Sequence, residues 1–218
     1  MDSHFNECTT PKDCWCEIKR YWLIFGIAIV ILIGEIWGGI ISGSLALLAD
    51  AGHVFTDSAA ILVSVIIAFL VKKGSDENKT RNIGGVINAL LLGFISIWVF
   101  IEALERIGNP RDITSWIMIS IAIIGTIGNY IQHRVIEVSD EKHITHEAMS
   151  LHILSDLAQS GVVVTGGIVI ALTGWSIIDP ILSFGISLLM GYWSLSLLQK
   201  IKSGHYDNHH DHCCHHGH

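Results

Sequence analysis

Six times along this chain an apolar run recurs that is long enough to cross a lipid bilayer, and no other feature restricts its fold as strongly. A hydrocarbon layer of about 30 Å takes roughly 17–25 helical residues. Such runs can be read at Tyr21–Ile41, Leu45–Val71, Ile83–Arg106, Ile113–Val138, Ala148–Thr173 and Ile177–Leu198. Half of the 218 residues are hydrophobic and only 15% are charged, with a mean hydropathy of +0.52, which is too apolar for an ordinary soluble domain. The expected fold is therefore all-α: a polytopic membrane protein with six transmembrane helices. A polar N-terminal tail over 1–20, a transmembrane domain over 21–200 and a His/Cys-rich C-terminal tail over 201–218 complete the expected organisation. No soluble domain is expected, because the residues after the sixth run are rich in His, Asp, Asn and Gly and too few to bury a core.

The net charge of −7 says little about partners, since Glu35, Asp50, Asp57, Glu102 and Asp156 lie within or close to the apolar runs. No basic run resembles a nucleic-acid footprint, so nucleic-acid binding is not expected and the surrounding partner is the lipid bilayer. Lys and Arg in short loops favour the cytoplasmic side. With the N terminus inside, only Arg106 and Arg111 of the 13 basic residues fall outside, which places both termini in the cytoplasm. The first twenty residues lack the apolar segment and small-residue site of a cleavable signal peptide. All five cysteines (Cys8, Cys14, Cys16, Cys213 and Cys214) lie in the tails, on the reducing side of this topology. Metal or redox chemistry suits them better there than a disulfide framework.

Six runs divide into two sets of three, and an odd number per half makes the second half enter the membrane inverted, the layout of a 3+3 inverted repeat. Glycines cluster where helices would approach closely: Gly34 and Gly38, Gly39 and Gly43, Gly125 and Gly128, Gly166 and Gly167. Trp22, Trp116 and Trp175 sit near run ends, as interfacial anchors do.

On the middle run of each half the chain carries His-x-x-x-Asp, as His53/Asp57 and His152/Asp156. Residues four apart share one face of a helix, so each pair aims a nitrogen and an oxygen at a common point. An ionised Asp at the centre of a membrane helix costs about 2.5–3.5 kcal/mol on insertion scales, so two of them need a compensating partner. A divalent cation supplies one, and two imidazoles with two carboxylates suit a tetrahedral ion such as Zn²⁺. The competing reading is a private hydrogen bond within each pair. Neither helix carries a zinc-protease motif, and no Ser or Cys nucleophile stands beside a base, so an enzyme is not expected.

Depth does not match between the pairs. At about 1.5 Å per residue, His53 and Asp57 lie roughly 12–18 Å from the outer end of the second helix, whereas His152 and Asp156 lie some 26–32 Å from that end of the fifth. The fifth helix must tilt, or the site sits toward the cytoplasm. Asp50, three residues before His53, reads equally as an exit-path carboxylate or a helix-end acid. Glu35 reads as an accessory cavity residue, a proton carrier or an interhelical hydrogen-bonding group. Glu102, Asn88, Asn129 and Gln159 read as interhelical hydrogen-bonding groups.

The tails are dense in metal-binding side chains. His205, His209, His210, His212, Cys213, Cys214, His215, His216 and His218 read either as a cytoplasmic metal collector or as a solvated tail. His4, Cys8, Cys14 and Cys16 lack zinc-ribbon spacing. His143 and His146, in the segment before the fifth helix, could relay metal inward or be solvated loop residues.

The run Glu35-Ile-Trp-Gly-Gly, followed by Ser44-Leu-Ala-Leu-Leu-Ala-Asp-Ala-Gly-His53-Val-Phe-Thr-Asp57, closely resembles the first two helices of the cation diffusion facilitator family, especially its zinc/cobalt/cadmium branch. Glu102-Ala-Leu-Glu-Arg106, Asn109-Pro-Arg, Asn129, His152-Ile-Leu-Ser-Asp156, Gly174-Trp and Asp179-Pro-Ile-Leu-Ser183 extend the resemblance over about 21–200. It implies export of Zn²⁺, with Cd²⁺ or Co²⁺ as further cargo, against H⁺ as coupling ion by alternating access. His53, Asp57, His152 and Asp156 would form the transport site, in a prokaryotic inner or plasma membrane. A non-transporting metal sensor or buffer and an uncoupled metal channel are the alternatives. Members of the family usually continue into a cytoplasmic domain that helps hold a dimer; the expectation here is that this domain is lacking and that any homodimer forms through the membrane helices.

Overall fold

A computed structural model of the chain describes residues 11–73, 77–137 and 144–203; within these stretches the side chains of 11–21, 144–152 and some others are left undescribed. Among the described residues the elements are all helices: α1 (Pro11–Ser42), α2 (Leu45–Lys72), α3 (Glu77–Gly108), α4 (Ser115–Glu137), α5 (Ile144–Thr173) and α6 (Ile178–Lys202). All six are long and apolar enough to span a bilayer. Five of them follow the apolar runs to within a few residues at either end or extend them by one or two turns. The exception is α1, which begins at Pro11 although its apolar part begins only at Trp22. Hydropathy cannot see such a polar extension, and Pro is well tolerated in a first helical turn because its missing amide would have no partner there.

The burial pattern is that of a chain whose solvent is lipid. Large apolar side chains point outward, as Val30, Phe94, Ile97 and Leu172 do, while Glu35, Asp50, His53, Asn129, Gln159 and Asp179 are buried. Trp22, Trp116 and Trp175 are exposed near helix ends, as bilayer anchors require.

Helices α1, α2, α5 and α4 form a ring, in which α1 packs on α2 and α4, and α4 packs along α5. Contact between α2 and α5 is confined to a short crossing. Beside the ring, α3 and α6 lie against each other along their lengths and lean on α2, with α6 also touching α5. The two halves match in part: α1 on α2 is answered by α4 on α5, and α2 on α3 by α5 on α6, but α6 packs on α2 without a comparable contact of α3 on α5.

Most of the glycines lie where backbones approach. A Cβ on Gly38 would stand 2.7 Å from Ile121 of α4, one on Gly128 would stand 2.6 Å from Ile31 of α1, and one on Gly166 would meet Leu182 of α6. Gly34 departs from this pattern, because nothing lies within 4 Å of its Cβ position. Gly43 and Gly174 have another role: at φ of 77° and 72° they end α1 and α5 in the left-handed conformation that glycine adopts without penalty.

Candidate metal centre

Along α2 the polar residues Asp50, His53 and Asp57 recur at three- and four-residue steps, which puts them on one face. Along α5, Asp156, Gln159 and Ser160 do the same. The two faces meet where α2 crosses α5. His53 Nε2 lies 3.2 Å from Asp156 Oδ1 and 3.5 Å from Asp57 Oδ2. All three donor atoms fall within 4.8 Å of one another. With metal–ligand distances of about 2.0–2.2 Å, the edges of a tetrahedron are roughly 3.3–3.6 Å long, so the two separations from His53 suit edges around one ion, and the third donor pair lies within 4.8 Å. The donor set, one imidazole nitrogen and two carboxylate oxygens, matches borderline divalent ions.

The side chain of Asp57 keeps 29% exposure against 5% for His53 and 11% for Asp156, so the cluster opens past Asp57. On its other side the His53 imidazole packs against the indole of Trp193 on α6, with ring centroids 5.1 Å apart. Thr56 donates its hydroxyl to the His53 carbonyl at 2.8 Å, which keeps that hydroxyl from competing at the cluster.

One turn nearer the start of α2, Asp50 accepts hydrogen bonds from Gln159 Nε2 at 2.8 Å and Ser160 Oγ at 3.1 Å. Asn129 of α4 donates to the same Ser160 oxygen at 3.1 Å. Asp50 is thus a fully buried acceptor joining α2 to α5 and, through Ser160, to α4, and the helix-end reading of this residue does not hold. Glu35 is also buried, on α1 against Gly125 of α4, and neither of its carboxylate oxygens meets a donor among the described residues.

The model of the cation efflux transmembrane domain matches residues 21–202. The chain belongs to the cation diffusion facilitator family. It is 35% identical over 189 residues to the zinc transporter ZitB of Pectobacterium atrosepticum, covering 84% of this chain and 59% of that protein. Over 170 residues it is 32% identical to the metal cation efflux system protein CzcD of Cupriavidus metallidurans, covering 75% of this chain and 52% of that one. A Bacillus subtilis protein named as a cadmium, cobalt and zinc/H(+)-K(+) antiporter is 32% identical over 181 residues, covering 79% of this chain and 58% of the other. The chain therefore spans between 52% and 59% of the length of these relatives.

In this cation diffusion facilitator His152 lies in α5 one turn before Asp156, but its side chain is outside the described residues. The side chains of His146, in α5, and of Cys14 and Cys16, in α1, are outside the described residues too. His4, Cys8, His143 and the whole tail from His205 to His218 also lie outside them. Gln159 and Asn129 are interhelical hydrogen-bonding groups, as expected. Glu102 is not: it pairs at 2.8 Å with Arg106 on its own helix and at 3.2 Å with Arg111 in the following loop. An Arg four residues on shares its face, and that proximity wins over a partner on another helix. Asn88 also departs from expectation, since its buried carbonyl oxygen has no donor among the described residues. Ser160, Trp193 and Asp179 carry contacts around the cluster that sequence reasoning did not assign. Ser160 could have been found from its i+4 spacing to Asp156; Trp193 had no comparable signal.

Proposed function

We propose that this chain exports Zn²⁺ across a prokaryotic inner or plasma membrane, with Cd²⁺ or Co²⁺ as further cargo, in exchange for protons and by alternating access. The reading is carried by the convergence of His53, Asp57 and Asp156 from two separate membrane helices onto one point. His152, in the same helix and one turn from Asp156, is the proposed fourth ligand.

A buried carboxylate and a half-buried one beside an imidazole are costly within the membrane without a counter-charge, so a divalent cation stabilises this place in the bundle. Metal ligation requires the unprotonated imidazole and carboxylates, so protons compete with the ion for the same atoms. Protonation from one side expels the metal, and reloading from the other releases the protons. The name of the Bacillus subtilis relative supports the antiport reading, and the names of the ZitB and CzcD relatives support the metal class.

Reconstituted vesicles provide the test. Zn²⁺ uptake should respond to an imposed pH gradient and should be abolished by Asp57→Ala and by Asp156→Ala. Unchanged flux in those variants would refute the site. Flux indifferent to the gradient would identify an uncoupled channel, and binding without flux a sensor or buffer.

A further inference from the structure

We infer that Asp179 is a positioning residue for this metal centre, holding the start of α2 in the register at which His53 and Asp57 meet Asp156. The inference rests on the metal-centre reading above and extends it to a residue outside the cluster.

Asp179 is the second residue of α6 and is wholly buried. Its Oδ1 accepts the Ser44 hydroxyl at 2.6 Å and the Ala46 amide at 3.1 Å, and its Oδ2 accepts the Leu45 amide at 2.8 Å. The Ser44 oxygen in turn accepts the Leu47 amide at 3.1 Å. The first three amides of α2, which no helical carbonyl can satisfy, are thus bonded directly or through Ser44 to one carboxylate from another helix. A negative charge is also favoured at a helix N-terminus. Ser44 makes the usual cap from within its own chain segment, and Asp179 adds a capping carboxylate from another helix. Here it ties two membrane helices together.

The surrounding turn is pinned from other elements as well. Arg106 of α3 donates to the Gly43 carbonyl at 2.6 Å, and the Thr114 amide, just before α4, donates to the Ser42 carbonyl at 2.9 Å. The contacts of Arg106 and Thr114 hold the connection, whereas those of Asp179 hold the helix itself. Slipping a helix by one residue turns each side chain through about 100° and shifts it by about 1.5 Å. His53 follows Leu45 by eight residues, so a change in register at the cap is delivered undiminished to the imidazole. Asp179 also follows α5 after a turn of only four residues, 174–177, which links the second ligand-bearing helix to the same anchor.

The test is a double-mutant cycle on the full chain in lipid nanodiscs, titrated with Zn²⁺ by calorimetry. The binding component that disappears in His53→Ala defines the centre and separates it from the tails. Asp179→Asn should weaken that component by about tenfold, a coupling within the range for residues that act through one another. In the His53→Ala background the same substitution should change the remaining binding by less than about twofold. Ser44→Ala, which keeps both amide bonds to Asp179, should follow the same pattern with a smaller effect and serves if Asp179→Asn does not fold. An affinity unchanged by either substitution in a folded protein, or an equal loss in both backgrounds, would overturn the inference. If His53→Ala removes no component, the metal-centre reading fails and this inference with it; that outcome is distinct, because it appears before Asp179 is altered.

Discussion

His53 is constrained from three helices: its own carries Asp57, α5 brings Asp156 and α6 lays Trp193 against the ring. Such enclosure restricts an imidazole to few orientations, as the proposed role of His53 as a ligand requires. Asp50 contributes differently, as the acceptor of two hydrogen bonds from α5. Its replacement should therefore act on stability before it acts on chemistry. Asp50→Ala leaves the Gln159 amide and the Ser160 hydroxyl without their acceptor, and a loss of about 1–2 kcal/mol is expected, within the range for interhelical bonds in membranes. Unfolding in mixed detergent micelles measures it, and a stability equal to that of the unaltered chain would refute the bridging role. The i+4 spacing of His53 and Asp57 made their shared face legible from the sequence. Asp50 stayed ambiguous because its partners lie 109 and 110 positions away along the chain.

At the level of elements, close approach and tilt decide the architecture. Gly38 of α1 faces Ile121 of α4 with no room for a methyl group, whereas Gly34, one turn earlier, faces open space. Gly38→Ala is expected to destabilise the bundle by about 1–3 kcal/mol through overpacking. Gly34→Ala should be neutral or stabilising by up to about 1 kcal/mol, since Ala favours the helix. Thermal unfolding of the two variants in the same detergent checks the contrast, and equal shifts would refute the assigned interface. The sequence spacing of these glycines is regular and could not rank them. The depth mismatch of the two His-x-x-x-Asp copies bears on how α5 crosses α2. Asp156 lies 17 residues before the end of α5, about 26 Å, and His53 only eight after the start of α2, about 12 Å. Yet Asp179, just beyond α5, still bonds the first turn of α2. A course of α5 oblique to α2 satisfies both contacts together and accords with the brevity of their crossing.

For the whole molecule, the arrangement is a ring of four helices with a paired α3 and α6 beside it. The pair is close because small residues face it: Ser96 donates to the Ser187 carbonyl and Ser194 to the Ala89 carbonyl, both at 2.8 Å, while Gly93 and Gly191 stand opposite Ser194 and Ser96. Sidedness is a prediction at this scale. If both tails are cytoplasmic, a membrane-impermeant maleimide should label Cys8, Cys14, Cys16, Cys213 and Cys214 only after cells are permeabilised; labelling of intact cells would reverse the orientation. By itself the sequence determined that the chain is all-helical, that it crosses the bilayer six times and which side chains are candidate ligands, because hydropathy, length and i+4 spacing are local properties. Only the tertiary structure decided that α2 crosses α5 at His53 and Asp156, that Asp50 bridges the same two helices, and that a carboxylate from α6 caps α2. Those contacts join residues more than a hundred positions apart, and their geometry is set by helix tilt and close packing, which no local pattern encodes.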